Sequence, residues 1–294
     1  MIRLRPFLFL ALLFGLWACS PSNQVTPTPS AIPSVTPSPR ASPTASRVPS
    51  TPTATSLTCL TQPGQVDNGE IDTTKPPQLF LIYLPPCYDT NINQRYPVLY
   101  LLHGQTYIDD QWVRLGAPQA ADHLIRSGQA PPFIMVFPDD RYWNLPDVED
   151  GFGDRVVSVI IPYVDSNYRT LSDRQHRAVG GLSLGGGWAA HLGLTNYDLF
   201  GSVGLHSPAI RDEDAPYIEN WIKAVPYASW PRIWIDAGDR DRELGLVRQF
   251  ESLLSEYQVP HEWHMYNGDH SETYWSAHVM EYLQWYAEGW KSSP

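Results

Sequence analysis

One run, Ala178-Val179-Gly180-Gly181-Leu182-Ser183-Leu184-Gly185-Gly186-Gly187, constrains this chain more than any other. A β-branched, apolar lead-in enters Gly-x-Ser-x-Gly, and the helix-compatible Trp188-Ala189-Ala190-His191-Leu192 follows. The pattern reads as strand, sharp turn and helix, with Ser183 held at the apex. A serine hydroxyl is a poor nucleophile and needs this presentation for acyl-transfer chemistry. Chance alone supplies Gly-x-Ser-x-Gly roughly 0.1 times in a chain this long, so the context must carry the argument.

That context is a series of apolar runs alternating with helical stretches. Residues 78–84, 96–102, 133–137, 176–180, 201–205, 232–235 and 261–266 read as strands. Tyr96-Pro97-Val98-Leu99-Tyr100-Leu101-Leu102 is continuously apolar, which fits a strand buried on both faces of a parallel sheet. Residues 118–127, 155–167, 188–195, 243–257 and 272–290 read as helices. The alternation predicts an α/β fold, a mostly parallel central sheet flanked by helices. Functional residues then belong in loops beyond the carboxyl ends of the strands.

A serine nucleophile needs a base, an acid to orient the base, and donors for the oxyanion. On this fold they follow in the order Ser, acid, His. His270, in Asn267-Gly268-Asp269-His270 after the last strand, is the expected base. His103, His176, His206, His261 and His264 fail on order or on position. Asp241, in Asp236-Ala237-Gly238-Asp239-Arg240-Asp241, is the expected acid, with Asp239 as its main rival. The expected oxyanion donors are the backbone N–H groups of Leu184 and of Gln105, which follows His103-Gly104. Among aromatic residues near the strand ends, Trp112 and Trp143 are the substrate-pocket candidates, and the rest read as packing. No Cys/His spacing fits a metal site, and no cofactor is expected.

The segments Leu84-Pro85-Pro86-Cys87-Tyr88, residues 96–104, Gly180-Gly181-Leu182-Ser183-Leu184-Gly185-Gly186, Phe200-Gly201 to Ser207-Pro208 and Gly268-Asp269-His270-Ser271 together resemble the esterase D group of α/β-hydrolases. That group includes feruloyl esterases, S-formylglutathione hydrolases, enterochelin esterases and mycolyltransferase antigens. The resemblance implies an α/β-hydrolase fold, Ser183, Asp241 and His270 as the triad, and Leu184 and Gln105 as oxyanion donors. Cys87 stands where glycine is usual in the family. The expected activity is that of a serine carboxylesterase acting on an extracellular ester, such as a feruloyl or acetyl ester on polysaccharide or a siderophore ester. Acyl transfer to an alcohol other than water is one alternative. A non-catalytic surface module that kept the fold is another.

The N-terminal part reads as an export device. Arg3 and Arg5 precede an apolar run from Pro6 to Trp17, too short for a standard membrane span. Leu16-Trp17-Ala18-Cys19 resembles a bacterial lipobox, which makes residues 1–19 a signal segment and Cys19 the lipidated residue; ordinary cleavage near Ala18 is the alternative. Residues 20–56 read as a disordered tether: from Pro21 to Ser56, 24 of 36 residues are Pro, Ser or Thr and none is acidic. Residues 57–294 form the expected esterase domain, anchored to a bacterial membrane at the cell surface. All 31 acidic residues lie there with 16 of the 20 Lys and Arg, a balance of about −15 that argues against a nucleic-acid partner. Cys59 and Cys87 make an even pair suited to a disulfide in an oxidising compartment, with two buried free thiols as the alternative.

Overall fold

The computed structural model describes residues 59–140 and 151–291. Its strands are β1 (Gln65–Ile71), β2 (Gln78–Leu84), β3 (Val98–Leu102), β4 (Ile134–Pro138), β5 (Arg177–Leu182), β6 (Ser202–His206), β7 (Arg232–Gly238) and β8 (Glu262–Tyr266). They form one sheet in the order β1-β2-β4-β3-β5-β6-β7-β8. The pairs from β4 through β3 to β8 are parallel, and β1-β2 and β2-β4 are antiparallel. The helices are α1 (Gln111–Arg114), α2 (Ala117–Arg126), α3 (Phe152–Arg155), α4 (Ile161–Asn167), α5 (Leu184–Thr195), α6 (Ile218–Ala224), α7 (Leu244–Glu256) and α8 (Glu272–Glu288).

The sheet divides the core in two, which explains the continuous apolar runs. Along β3, Val98, Tyr100 and Leu102 join a cluster with residues of α4, α5, α6 and α7. Leu99 and Leu101 point to the other face and join residues of α1, α2 and α8. Successive side chains of a strand face opposite ways, so a strand covered on both sides must be apolar throughout. The expected strands and helices are all present, with their ends shifted by a few residues. Residues 155–167, read as one helix, belong to a longer unit: α3 and α4 joined by a π-helical turn over Val156–Ile160. Pro162 has no N–H to give the preceding turn, and the β-branched run before it crowds a regular α-helix.

The sequence reading did not contain β1, α1 or α6. β1 is polar and almost wholly exposed, an edge strand without the alternation that marks a half-buried one. It is held by antiparallel pairing with β2, from Gln65 opposite Leu84 to Ile71 opposite Gln78.

Cys59 and Cys87 are disulfide-bonded, with Cα atoms 5.1 Å apart and a sequence separation of 28. Loop entropy assigns a bridge of that span about 3–4 kcal/mol. It fastens the start of the domain to the turn after β2. Cys87 adopts φ +67°, the left-handed region that favours glycine. That geometry accounts for glycine being usual at this place in the resembling family. Cys19, Trp143 and the boundary between tether and domain lie outside the described residues.

Candidate active site

The turn between β5 and α5 is tightly enclosed. Ser183 sits at φ +53°, ψ −121°, outside the regions that L-residues favour. A Cβ on Gly181 would lie 2.2 Å from Gly185 O, and one on Gly185 would lie 2.3 Å from Leu102 O. Only glycines let the strand, the turn and the neighbouring β3 approach this closely, so the two glycines of the motif are steric requirements of the elbow. Ser183 O accepts hydrogen bonds from Gly187 N (3.0 Å) and Ala209 N (2.9 Å), and Ser183 N donates to His206 O (3.1 Å). The turn that bears Ser183 is thus fixed on both sides.

Ser183, His270 and Asp241 come together from three loops. His270 Nε2 lies 2.8 Å from Ser183 Oγ, and His270 Nδ1 lies 2.9 Å from Asp241 Oδ1. A carboxylate can only accept, so Nδ1 carries the proton and Nε2 is left to accept the serine O–H. This is the tautomer that lets imidazole take a proton from a hydroxyl. All three side chains are largely buried. Burial alone pushes the Asp241 carboxyl up. Hydrogen bonding from its polar neighbours, that from His270 foremost, outweighs it and holds the carboxyl below the usual carboxylate range. The Glu243 N–H donates to Asp241 Oδ1 at 2.7 Å. Trp275 meets the His270 ring edge-on, with centroids 5.0 Å apart.

The rival aspartates have other partners. Asp239 accepts the Gly268 N–H at 2.9 Å and the Asn267 amide at 3.3 Å, which braces the turn before His270. Asp236 is fully buried and saturated: it accepts from His206 Nδ1 (2.7 Å), Trp234 Nε1 (2.8 Å), Tyr274 Oη (2.7 Å) and Tyr282 Oη (2.8 Å). His206 is thereby tied into the core, away from Ser183.

Leu184 is the first residue of α5, where the opening N–H groups of a helix have no partner within it. The loop after β3 is pinned around Gly104. Gly104 O accepts from His103 Nδ1 (2.8 Å) and from Tyr107 N (3.2 Å). A trans peptide sets its C=O and the following N–H on opposite sides, so fixing Gly104 O fixes the Gln105 N–H facing away from it. A Cβ on Gly104 would lie 3.5 Å from Ser183 Cβ, which measures how near this loop runs to the serine.

His103 is a buried neutral imidazole with a defined tautomer. Nδ1 donates to Gly104 O, and Nε2 accepts the Asp140 N–H at 2.9 Å. Burial holds its pKa below the ordinary 6.5, against the Gly104 hydrogen bond, which favours the proton. A histidine with a depressed folded-state pKa contributes stability that is present above the unfolded value and lost as pH falls toward the folded one. The expected result is a Tm that declines as pH drops below about 6.5, with a shallower decline in His103→Gln. Parallel Tm–pH curves for the two proteins would remove His103 from this role.

Beside Ser183 lies a cavity of about 520 Å³. The loop after β3 lines it with Gln105, Thr106 and Tyr107, the loop after β7 with Arg242, and the start of α8 with Glu272, Thr273 and Trp275. Trp112, expected in the pocket, is not part of it. Trp112 is 1 % exposed, donates its indole N–H to Leu102 O at 2.9 Å, and packs edge-on against His206 and Tyr282. As the second residue of α1 it turns under the sheet end rather than toward the loop surface. The aromatic residues at the cavity are Tyr107 and Trp275, which local sequence did not separate from packing residues. Gln111 and Glu272 were likewise not foreseen, because their placement depends on a contact across 161 residues. Among the described residues no group of His, Cys, Asp and Glu could hold a metal ion.

Comparison with known proteins bears on the fold and the family. An endo-1,4-beta-xylanase/feruloyl esterase of Xylanibacter ruminicola is 31% identical over 185 residues, 58% of this chain and 24% of that protein. An esterase of Mycobacterium tuberculosis is 27% identical over 242 residues, 64% of this chain and 51% of that protein. The chain thus spans about a quarter to a half of the length of these curated relatives. A solved ferulic acid esterase superposes with a TM-score of 0.69 at 24% identity, covering 78% of this chain and all of that one. The fold is that of the α/β-hydrolases. Residues 73–286 match the esterase family model described as "Putative esterase". Since that match takes in most of the folded domain, the chain belongs to this esterase family.

Proposed function

We propose that this protein hydrolyses carboxylic esters through an acyl-enzyme. Ser183 is the nucleophile. His270 takes its proton and returns it to the leaving alcohol, and Asp241 holds the His270 tautomer and balances the imidazolium that forms. The N–H groups of Leu184 and Gln105 receive the developing oxyanion. The observation that carries this reading is the unbroken hydrogen-bond chain from Ser183 Oγ through His270 to Asp241, beside a cavity.

The substrate we propose is a feruloyl or acetyl ester on an extracellular polysaccharide, with a siderophore ester as the other candidate of the same chemistry. Two of the similar proteins are named for cleaving feruloyl esters, one of them alongside a xylanase activity. A cavity of about 520 Å³ accommodates an aromatic acyl group, and Tyr107 and Trp275 offer it rings. The same reading sets the domain outside the cell, on the Pro/Ser/Thr-rich tether with Cys19 as its lipid anchor. A disulfide within the domain suits that compartment.

Methyl ferulate, p-nitrophenyl acetate and longer-chain p-nitrophenyl esters test the proposal together. The expected result is turnover of the feruloyl and acetyl esters, with free acid as the main product even when an acceptor alcohol is added. Folded protein that cleaves none of them overturns it, and esters of the added alcohol as main product would convert the reading to acyl transfer.

A further inference from the structure

We infer that Gln111 is a positioning residue for the oxyanion hole, acting through Glu272 to lock the loop after β3 to the start of α8. The inference rests on the reading of Gln105 and Ser183 given above.

Gln111 is fully buried, and a primary amide buried without partners is costly. Its Oε1 accepts the Gly104 N–H at 2.8 Å, and its Nε2 donates to Glu272 Oε1 at 3.2 Å. A backbone N–H can only donate and a carboxylate only accept, so the orientation of the amide is determined. Gly104 is the residue before Gln105. Without a Cβ its flanking peptides are free to rotate unless something holds them. Gln111 holds the peptide on its N-terminal side, and His103 Nδ1 with Tyr107 N holds the one on its C-terminal side. The direction of the Gln105 N–H is therefore set by two side chains, one on each peptide.

The other end of the strap is equally specific. Glu272 opens α8, two residues beyond His270, where the helix dipole favours a carboxylate. Arg114 Nη1 lies 3.1 and 3.2 Å from its two oxygens, and Arg114 Nε lies 3.2 Å from Asp110 Oδ1. Glu272 is thus a paired structural acceptor. One hydrogen-bonded path, Gly104 to Gln111 to Glu272, spans the cavity from the oxyanion loop to the helix that follows the histidine. An oxyanion donor acts only within a few tenths of an ångström of its place, and this path sets that distance.

The test exchanges donor and acceptor. In Gln111→Glu the new carboxylate can still accept the Gly104 N–H but meets the Glu272 carboxylate with no donor between them. With p-nitrophenyl acetate, kcat is expected to fall about tenfold to 100-fold while KM stays within about twofold. Phosphonylation by a fluorophosphonate, whose phosphoryl oxygen occupies the same hole, slows in parallel. Adding Glu272→Gln to Gln111→Glu returns a donor to the far side and is expected to recover most of the lost kcat. Wild-type kcat in Gln111→Glu overturns the inference, as does a loss that the exchanged pair fails to recover although its Tm matches wild type. If Gln111→Glu does not fold, the partly exposed Glu272→Ala serves: it replaces the fixed carboxylate that anchors the Gln111 N–H by mobile water from the cavity, so kcat should drop several-fold at unchanged KM, and an unchanged kcat overturns the inference. A wild-type protein that neither cleaves esters nor reacts with the fluorophosphonate would defeat the acyl-enzyme reading instead.

Discussion

Ser183→Ala is expected to lower kcat toward p-nitrophenyl acetate by about 10⁵–10⁶-fold, while the protein folds as before. The size of the loss follows from the role. Without Oγ there is no acyl-enzyme, and what remains is the binding and oxyanion stabilisation that the N–H groups provide to attack by water. The fold has little reason to change. The Ser183 backbone is held by Gly187 N, Ala209 N and His206 O, none of which involves the hydroxyl. Alanine takes φ +53° with the same Cβ as serine, so it adds no strain beyond what the elbow already bears. The deleted hydroxyl leaves His270 Nε2 beside a cavity that water can enter, so no buried group is stranded. A stability change within about 1 kcal/mol is the expectation. A fluorophosphonate should label the wild-type protein at Ser183 and leave the variant unlabelled. A variant that keeps kcat within tenfold of wild type would require another nucleophile.

The part of this site that was legible in the sequence is the part tied to strand ends. β3, β5, β7 and β8 end beside His103-Gly104, Ser183, Asp241 and His270, and three of those strands are buried enough to read as apolar runs. Chain order, together with position at a strand end, then narrowed which histidine and which acids could serve. What remained open, Asp239 against Asp241, turned on a single turn of chain. Asp239 accepts from Gly268 across to the next loop, and Asp241 reaches His270. Gln111 carried no local signal at all, since its two partners lie 7 and 161 residues away. Trp112 was misread for the converse reason: a loop position near the site says nothing about which way a side chain turns. β1 escaped because its residues are exposed and polar, and an edge strand held by backbone pairing leaves no hydrophobic pattern to read.

Asp241→Asn carries the second largest expected effect, a fall in kcat of about 10³–10⁴-fold with KM little changed. The argument concerns the imidazole proton. Asp241 Oδ1 accepts from His270 Nδ1, which keeps Nε2 bare toward Ser183. An asparagine can present its N–H₂ to Nδ1, which moves the ring proton to Nε2 and leaves nothing there to take the serine proton. It also removes the negative charge that balances the imidazolium. The wild-type carboxylate is well suited to this task because it remains ionised. Burial opposes its charge, yet the hydrogen bonds that it accepts, that from His270 foremost, keep its pKa below the ordinary 3.8. A depressed carboxyl contributes stability that is present above the unfolded pKa and lost only as pH falls through the folded one, so Asp241 keeps its charge across neutral and mildly acidic conditions. Loss of activity on moderate acidification therefore cannot come from Asp241, and Asp241→Asn should lower kcat across that whole range rather than at one edge of it. Asp239→Asn provides the contrast. Its side-chain oxygen can still accept the Gly268 N–H, so the turn persists and kcat should fall less than about tenfold. Kinetics on the two variants decide between them: if Asp239→Asn loses as much kcat as Asp241→Asn, the acid has been assigned to the wrong aspartate.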